Sequence, residues 1–169
     1  EAGRTTTVTV IAGELGEHRG PRTPPNSWAA RPEAGVGIYT LRMAPRATYT
    51  LPAGPADAHR TLYFFAGDHV SILGAAVPQG MAIGVEPGVD VPLVNHDQVA
   101  EILVLQGKPI GEPVAHHGPF VMNTRAELQQ AYDDYRRTGF GGWPWKGADP
   151  VHPRDKERFA IHADGREET

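Results

Sequence analysis

The sequence predicts an all-β fold, a closed barrel or sandwich of about eight or nine strands, with one helix near the C-terminal end. Three observations lead there. Twenty glycines and 16 prolines among 169 residues stand singly between short apolar runs, as turns stand between strands. The runs are rich in β-branched residues and alternate with period two. One segment alone, residues 124–139, carries helix start and stop signals together.

In chain order, "TTTVTVIAG" sets Val8 and Val10 against threonines and stops at a glycine, which reads as a strand. "EHRGPRTPPNSWAARPEAG", with prolines at 21, 24, 25 and 32, reads as a long loop or an edge excursion. "VGIYTLRMAP" alternates Ile38, Thr40 and Arg42 with Tyr39, Leu41 and Met43, so one face is expected to be buried. "ATYTLPAG" is a short strand ending at Pro52. "RTLYFFAGD" and "HVSILG", joined through Ala-Gly-Asp, read as a β-hairpin. "GMAIGVEPGVDVPLVNHD" gives two strands around Pro87-Gly88. Ile102 to Leu105 is the most apolar stretch and is expected at the centre of a sheet, covered on both faces.

Strands continue to about residue 117, and a helix is expected over about 125–138. Thr124 and Glu127 have the spacing of a capping box, in which each side chain satisfies an orphan N–H of the first turn. Leu128, Ala131, Tyr132 and Tyr135 form the apolar stripe. Arg136 and Arg137 suit the negative helix end, and Gly139 supplies the left-handed stop. "GPFVMNT" is therefore a strand-to-helix junction, with Phe120 and Met122 as anchors. One domain is expected over 1–145, followed by a polar tail, 146–169, for which Trp143 and Trp145 offer anchors.

Composition narrows the function classes. A net charge of −4 without a Lys/Arg cluster argues against nucleic acid, and no apolar run is long enough to span a bilayer. No cysteine is present, so disulfides, thiolate metal sites and a cysteine nucleophile are excluded. A cytoplasmic location is expected. "EAGRTTTVTV" lacks the plan of a signal peptide and an initiator methionine. Glu1 is expected to mark a processing site, a cut or an artificial boundary.

The eight histidines are the first candidates for chemistry. Two imidazoles spaced H-x-H on one strand would aim to one side and hold a metal, but no H-x-H occurs. His116 and His117 are adjacent and would point to opposite faces. His59, His69, His96 and Glu101 could form a metal site only through tertiary contacts. His18, His152 and His162 lie in polar stretches. Ser27 and Ser71, the only serines, sit in no Gly-x-Ser-x-Gly elbow. Asp133 and Asp134 are helical neighbours facing solvent. A binding barrel without metal would draw on Tyr39, Tyr63, Phe65 and Met81, which serve equally well as core, and Trp28 is an aromatic anchor.

"GKPIGEPV" followed by "GPFVMNT" (Gly118, Pro119, Phe120, Val121, Met122, Asn123, Thr124) and the capped helix with Glu127 resembles the end of pirin-family proteins. "VTVIAGELG" with the following Gly-Pro resembles the opening of that family's C-terminal domain, so the likeness covers about Val8 to Trp145. Pirins are bicupins, and the resemblance implies a C-terminal cupin, a β-barrel or sandwich. It also implies that iron belongs to an N-terminal cupin, on H-x-H, a further His and a Glu, and that this chain binds no cofactor of its own. The activities implied for the whole protein are quercetin 2,3-dioxygenase or an iron- and redox-dependent regulator. The implied partner is the N-terminal cupin domain, or a fragment of it, with self-association or another protein partner as further expectations. The rival is a self-contained cupin metalloenzyme using His59, His69, His96 and Glu101.

Overall fold

The computed structural model describes residues 3–143, 152–162 and 164–168. They fall into two compact units, Glu1–Gly111 and Glu112–Thr169. The predicted Trp145 anchor lies outside the described residues.

The first unit holds β1 (Thr6–Ala12), β2 (Glu14–Leu15), β3 (His18–Arg19), β4 (Gly37–Met43), β5 (Thr48–Leu51) and β6 (His59–Ala66). β7 (His69–Ile72), β8 (Ala75–Pro78), β9 (Met81–Val85), β10 (Val91–Asn95) and β11 (Ala100–Gly107) follow. Nine of these make two antiparallel sheets, in the orders β1-β4-β11-β6-β9 and β5-β10-β7-β8, while β2 and β3 pair with each other. Period-two alternation sends one side of each strand inward. Leu41, Met43, Leu51, Leu62, Ile102 and Val104 are fully buried, and Phe64 and Leu93 nearly so. Both sheets contribute to this one core, so the space between them is filled with hydrocarbon.

One expected pairing is corrected. β6 and β7 are not a hairpin: β6 pairs with β9 and β11, and β7 with β8 and β10. The Ala-Gly-Asp link instead carries the chain from one sheet to the other. Gly67, at φ +129°, makes the corner, where a Cβ would meet the Phe64 ring at 3.0 Å. The strands around Pro87-Gly88 likewise lie in different sheets. A short glycine-containing link suits a sheet change as well as a reversal, and the need to bury both inner faces decides between them.

β11 is central in its sheet, as expected, but it is not covered on both faces within this unit. Ala100, Ile102 and Val104 are fully buried, whereas Glu101 and Leu103 are half-exposed and Leu105 is 36% exposed.

The second unit opens with a hairpin of β12 (Ala115–His117) and β13 (Phe120–Met122), then α1 (Arg125–Thr138). Gly118 turns the hairpin at φ +54°, and a Cβ there would sit 2.6 Å from the Tyr132 hydroxyl oxygen. The capping box is complete: the Glu127 N–H donates to Thr124 Oγ1 at 3.2 Å, and the Thr124 N–H donates to the Glu127 carboxylate at 2.7 Å. Leu128 and Ala131 are buried, and Gly139 ends the helix at φ +55°. Tyr135 departs from the expected buried stripe at 52% exposure, its ring against Phe120 and Phe140. β14 (Ala160–Ile161) and β15 (Glu167–Glu168) pair near the C-terminal end.

Candidate functional site

The four metal candidates do not form one site. His59 opens β6 and Glu101 lies near the start of β11, both on the outward side of the five-stranded sheet. The register sets Gly107 opposite His59 and Glu101 opposite Ala66. Six residues along a strand, at about 3.3 Å each, part them by about 20 Å. Glu101 is instead ion-paired with Arg42 across β4 and β11. His69 and His96 lie on the outward side of the other sheet. Among the described residues, no three His, Asp or Glu side chains gather closely enough to hold a metal ion. The described residues therefore do not fit an iron ion.

His69 and His96 nevertheless meet, which spacing did not reveal. Their rings stack with centroids 3.9 Å apart at 26°. His69 Nδ1 is 2.9 Å from an Asp68 carboxylate oxygen, and Ser71 Oγ is 3.1 Å from His96 Nε2. The signal that could have found this pair is the pairing of β7 with β10, which sets Asn95 opposite Val70 and so brings His96 beside His69. The group does not complete a hydrolytic relay. The carboxylate holds His69 while the hydroxyl meets His96, and Ser71 lies on a flat strand face, not on a strained turn.

The aromatic candidates separate as well. Tyr39 is buried, and its hydroxyl donates to the Glu14 carbonyl at 2.6 Å. Tyr63 and Phe65 point outward, 39% and 49% exposed, and Met81 is exposed at the edge strand. No common pocket joins the four.

Polar side chains close both ends of the sandwich. At one end Asn95, 2% exposed, donates to the carbonyls of Met43, Ala44 and Gln98 and accepts the His96 N–H at 2.8 Å. At the other, Arg60 is 3% exposed, donates through Nε and Nη2 to Gln106 Oε1, and donates through Nη1 to the Pro52 carbonyl at 2.8 Å. No carboxylate touches it among the described residues. Burial pulls its guanidinium below the ordinary arginine value, with Tyr39 and Asp90 opposing. Burial likewise pushes the Tyr39 hydroxyl up, and the Arg60 charge works against that shift. Sequence gave no sign that Arg60 was internal, because it occupies an inward position only once the β6 phase is known.

What the first unit does offer is an apolar outer surface. On the five-stranded sheet the register aligns Thr40, Leu103, Tyr63 and Ala82 in one row and Ile38, Leu105, Thr61 and Gly84 in the next. Ile11 and Phe65 flank these rows, 45% and 49% exposed.

The fold and the "GPFVMNT" junction now meet comparison with known proteins. The pirin C-terminal cupin domain matches residues 38–141, more than half of the sequence. The chain belongs to the pirin family. It is 61% identical over 41 residues to a pirin-like protein of Caulobacter vibrioides, covering 24% of this chain and 15% of that protein. It is 36% identical over 97 residues to a pirin of Mus musculus, covering 55% and 28%. The crystal structure of a quercetin 2,3-dioxygenase from Acinetobacter baumannii superposes with a TM-score of 0.67 at 28% identity, over 83% of this chain and 45% of that one. The chain thus spans less than half the length of each of these three proteins. Its fold is the expected all-β cupin with one C-terminal helix. Among the described residues, no helix is long and apolar enough to cross a membrane.

Proposed function

We propose that this chain is the C-terminal cupin of a two-cupin protein, with a structural and interaction role beside an N-terminal cupin of the same protein that binds iron. In this reading residues 1–145 are the cupin domain and 146–169 a polar tail. The whole protein carries the family's activity, cleavage of a flavonol with oxygen as a quercetin 2,3-dioxygenase, or an iron- and redox-dependent regulatory role.

The observation that carries the reading is the double-sided apolarity of β11. A strand that reads as a continuous run of Ile, Leu and Val belongs where both faces are covered. Here Ile102 and Val104 are covered by the four-stranded sheet, while Leu103 and Leu105 face outward among Tyr63, Phe65 and Ile38. The greater length of the relatives supports a second cupin as the occupant of that face. The interior supports the same division of labour, because a core filled by Phe64, Leu41, Met43 and Leu62 has no space for a metal and a flavonol.

Two measurements on the purified chain test this. Iron analysis after expression in iron-rich medium should find no stoichiometric metal, and one iron per chain would overturn the reading in favour of a self-contained metalloenzyme. Sedimentation velocity should show self-association of the isolated chain, reduced by Phe65→Asp and replaced by a one-to-one complex when the N-terminal half is co-expressed. A monomer that ignores that half would also overturn it.

A further inference from the structure

The end of the sandwich closed by Arg60 opens to solvent through a cleft of about 520 Å³, and one wall of that cleft is the proline-rich segment before β4. Its sequence reads as a loose loop, yet it is pinned at several points. Trp28 Nε1 donates to the Lys108 carbonyl at 3.2 Å, the Lys108 N–H donates to the Ala34 carbonyl at 2.8 Å, and Gln106 Nε2 donates to the Gly35 carbonyl at 3.1 Å. On the other side the Gly20 N–H donates to the Gly13 carbonyl at 2.9 Å. The volume is therefore built by packed backbone. The segment lies before residue 38, where the family match begins.

The cleft is cationic, although the chain as a whole is acidic. Arg19, Arg22 and Arg31 line it against one carboxylate, Glu14, which pairs with Arg19 at 2.9 Å. Arg22 and Arg31 make no ion pair among the described residues, and the Arg31 guanidinium lies 5.2 Å from the Trp28 ring centroid. The floor is Tyr39 and Gln106. Directly behind Gln106 stands the buried Arg60, whose hydrogen bonds go to amide and carbonyl oxygens, so its charge adds to the cationic character of this end while the Asp90 carboxylate offsets part of it. Ala29, Val36 and Pro55 supply apolar surface between the charges. Guanidinium groups recognise planar oxyanions through paired N–H donors. The Glu14 carboxylate at the same cleft favours a monoanion over a phosphate dianion, and the volume is that of a small-molecule site.

We propose that this cleft binds a small organic carboxylate, its charged end on Arg22 and Arg31 and its apolar body against Val36 and Pro55. The site is separate from the outer sheet face and does not depend on whether a second cupin covers that face.

Benzoate, its neutral isostere benzamide and inorganic phosphate are the probes, titrated into the purified full chain and followed by amide NMR shifts and calorimetry. Benzoate should saturate with shifts confined to residues 13–36 and the neighbourhood of Gln106, and benzamide should bind about tenfold more weakly or worse. The double variant Arg22→Ala, Arg31→Ala should weaken benzoate to a similar degree while its melting temperature stays unchanged. Because Arg31 lies over Trp28, Arg22→Glu serves as a second variant that keeps this contact, and it should also weaken benzoate. Equal binding of benzoate and benzamide, benzoate binding unaffected by either variant, or no saturable binding would each overturn the proposal. Phosphate binding in preference to benzoate would overturn the carboxylate assignment.

Discussion

Gln106→Leu should damage this protein more than removing Gln106 and Arg60 together. Gln106 Oε1 accepts two of the three hydrogen bonds donated by the buried guanidinium, from Nε at 2.8 Å and from Nη2, and only the Pro52 carbonyl remains without it. A buried charge stripped of its principal partner costs about 3–5 kcal/mol. The lost bond from Gln106 Nε2 to Gly35 adds about 1 kcal/mol. Arg60→Met is milder, at about 1–3 kcal/mol, because the charge leaves and only two neutral oxygens, of Gln106 and Pro52, lose a donor. In the double variant both polar partners give way to hydrocarbon of similar volume, and the loss should fall to about 1–2 kcal/mol, well short of the sum. Urea unfolding followed by far-UV circular dichroism reads all four proteins, with an unchanged slope as the check that the unfolded state is the same. If Gln106→Leu costs under about 1 kcal/mol, or the two changes simply add, then the guanidinium reaches water and the reasoning about this end of the sandwich fails.

Other outcomes are equally specific. Tyr39 and Tyr49 are both held above the ordinary tyrosine value by burial. Their contribution is therefore complete below about pH 10 and is lost as pH rises past that point, where the unfolded chain releases its protons first. Tyr39→Phe should make the alkaline decline shallower in urea midpoints measured across that range, at the cost of about 1 kcal/mol for the bond to Glu14. Gly118→Ala places a Cβ against the Tyr132 hydroxyl at a left-handed φ and should loosen the hairpin from the helix, raising amide exchange in α1. Thr124→Ala should lower helix stability by about 1 kcal/mol through loss of the capping box, with faster exchange concentrated in the first turn. Asn95→Ala removes the amide bonds to the carbonyls of Met43, Ala44 and Gln98, of which Ala44 keeps the Ala47 N–H, leaves the His96 N–H without its acceptor, and should cost about 2–3 kcal/mol in urea unfolding.

The sequence made some of this legible and concealed the rest for identifiable reasons. The helix was readable to its caps because Thr124, Glu127 and Gly139 act on backbone groups within four residues of themselves. The alternation in β4 was readable because Tyr39, Leu41 and Met43 report their burial by period alone. Pairing was not readable where a short link changes sheets, as at Gly67, since local turn chemistry carries no record of which sheet the next strand joins. The His69–His96 stack, the Arg60–Gln106 bonds and the pinning of Trp28 to Lys108 join residues 27, 46 and 80 positions apart, and such contacts exist only after both sheets are assembled. The two-sided burial expected for β11 deserves a different account. Leu103 and Leu105 lie on the outward face that this unit leaves open, so an apolar run alone does not report whether both faces of a strand are covered within its own unit.

A barrel whose interior is packed with Phe64, Leu41, Met43 and Leu62 cannot use that interior for chemistry, so any function must be sought on its outside and at its ends. The outside divides by chemistry. The five-stranded sheet offers broad apolar area with one ion pair, Arg42–Glu101, at its margin, and flat apolar area suits a protein partner better than a small ligand. The Arg60 end offers a concave volume with several cations and one acid, which suits a small anion better than a protein. The two surfaces therefore make opposite demands on salt. Association through the sheet face should persist as ionic strength rises, whereas binding in the cleft should weaken, because its charges are partly exposed and screened over about 8 Å at physiological salt. Raising sodium chloride in both the sedimentation and the benzoate experiments separates them, and a parallel response would mean that the two surfaces are not physically distinct.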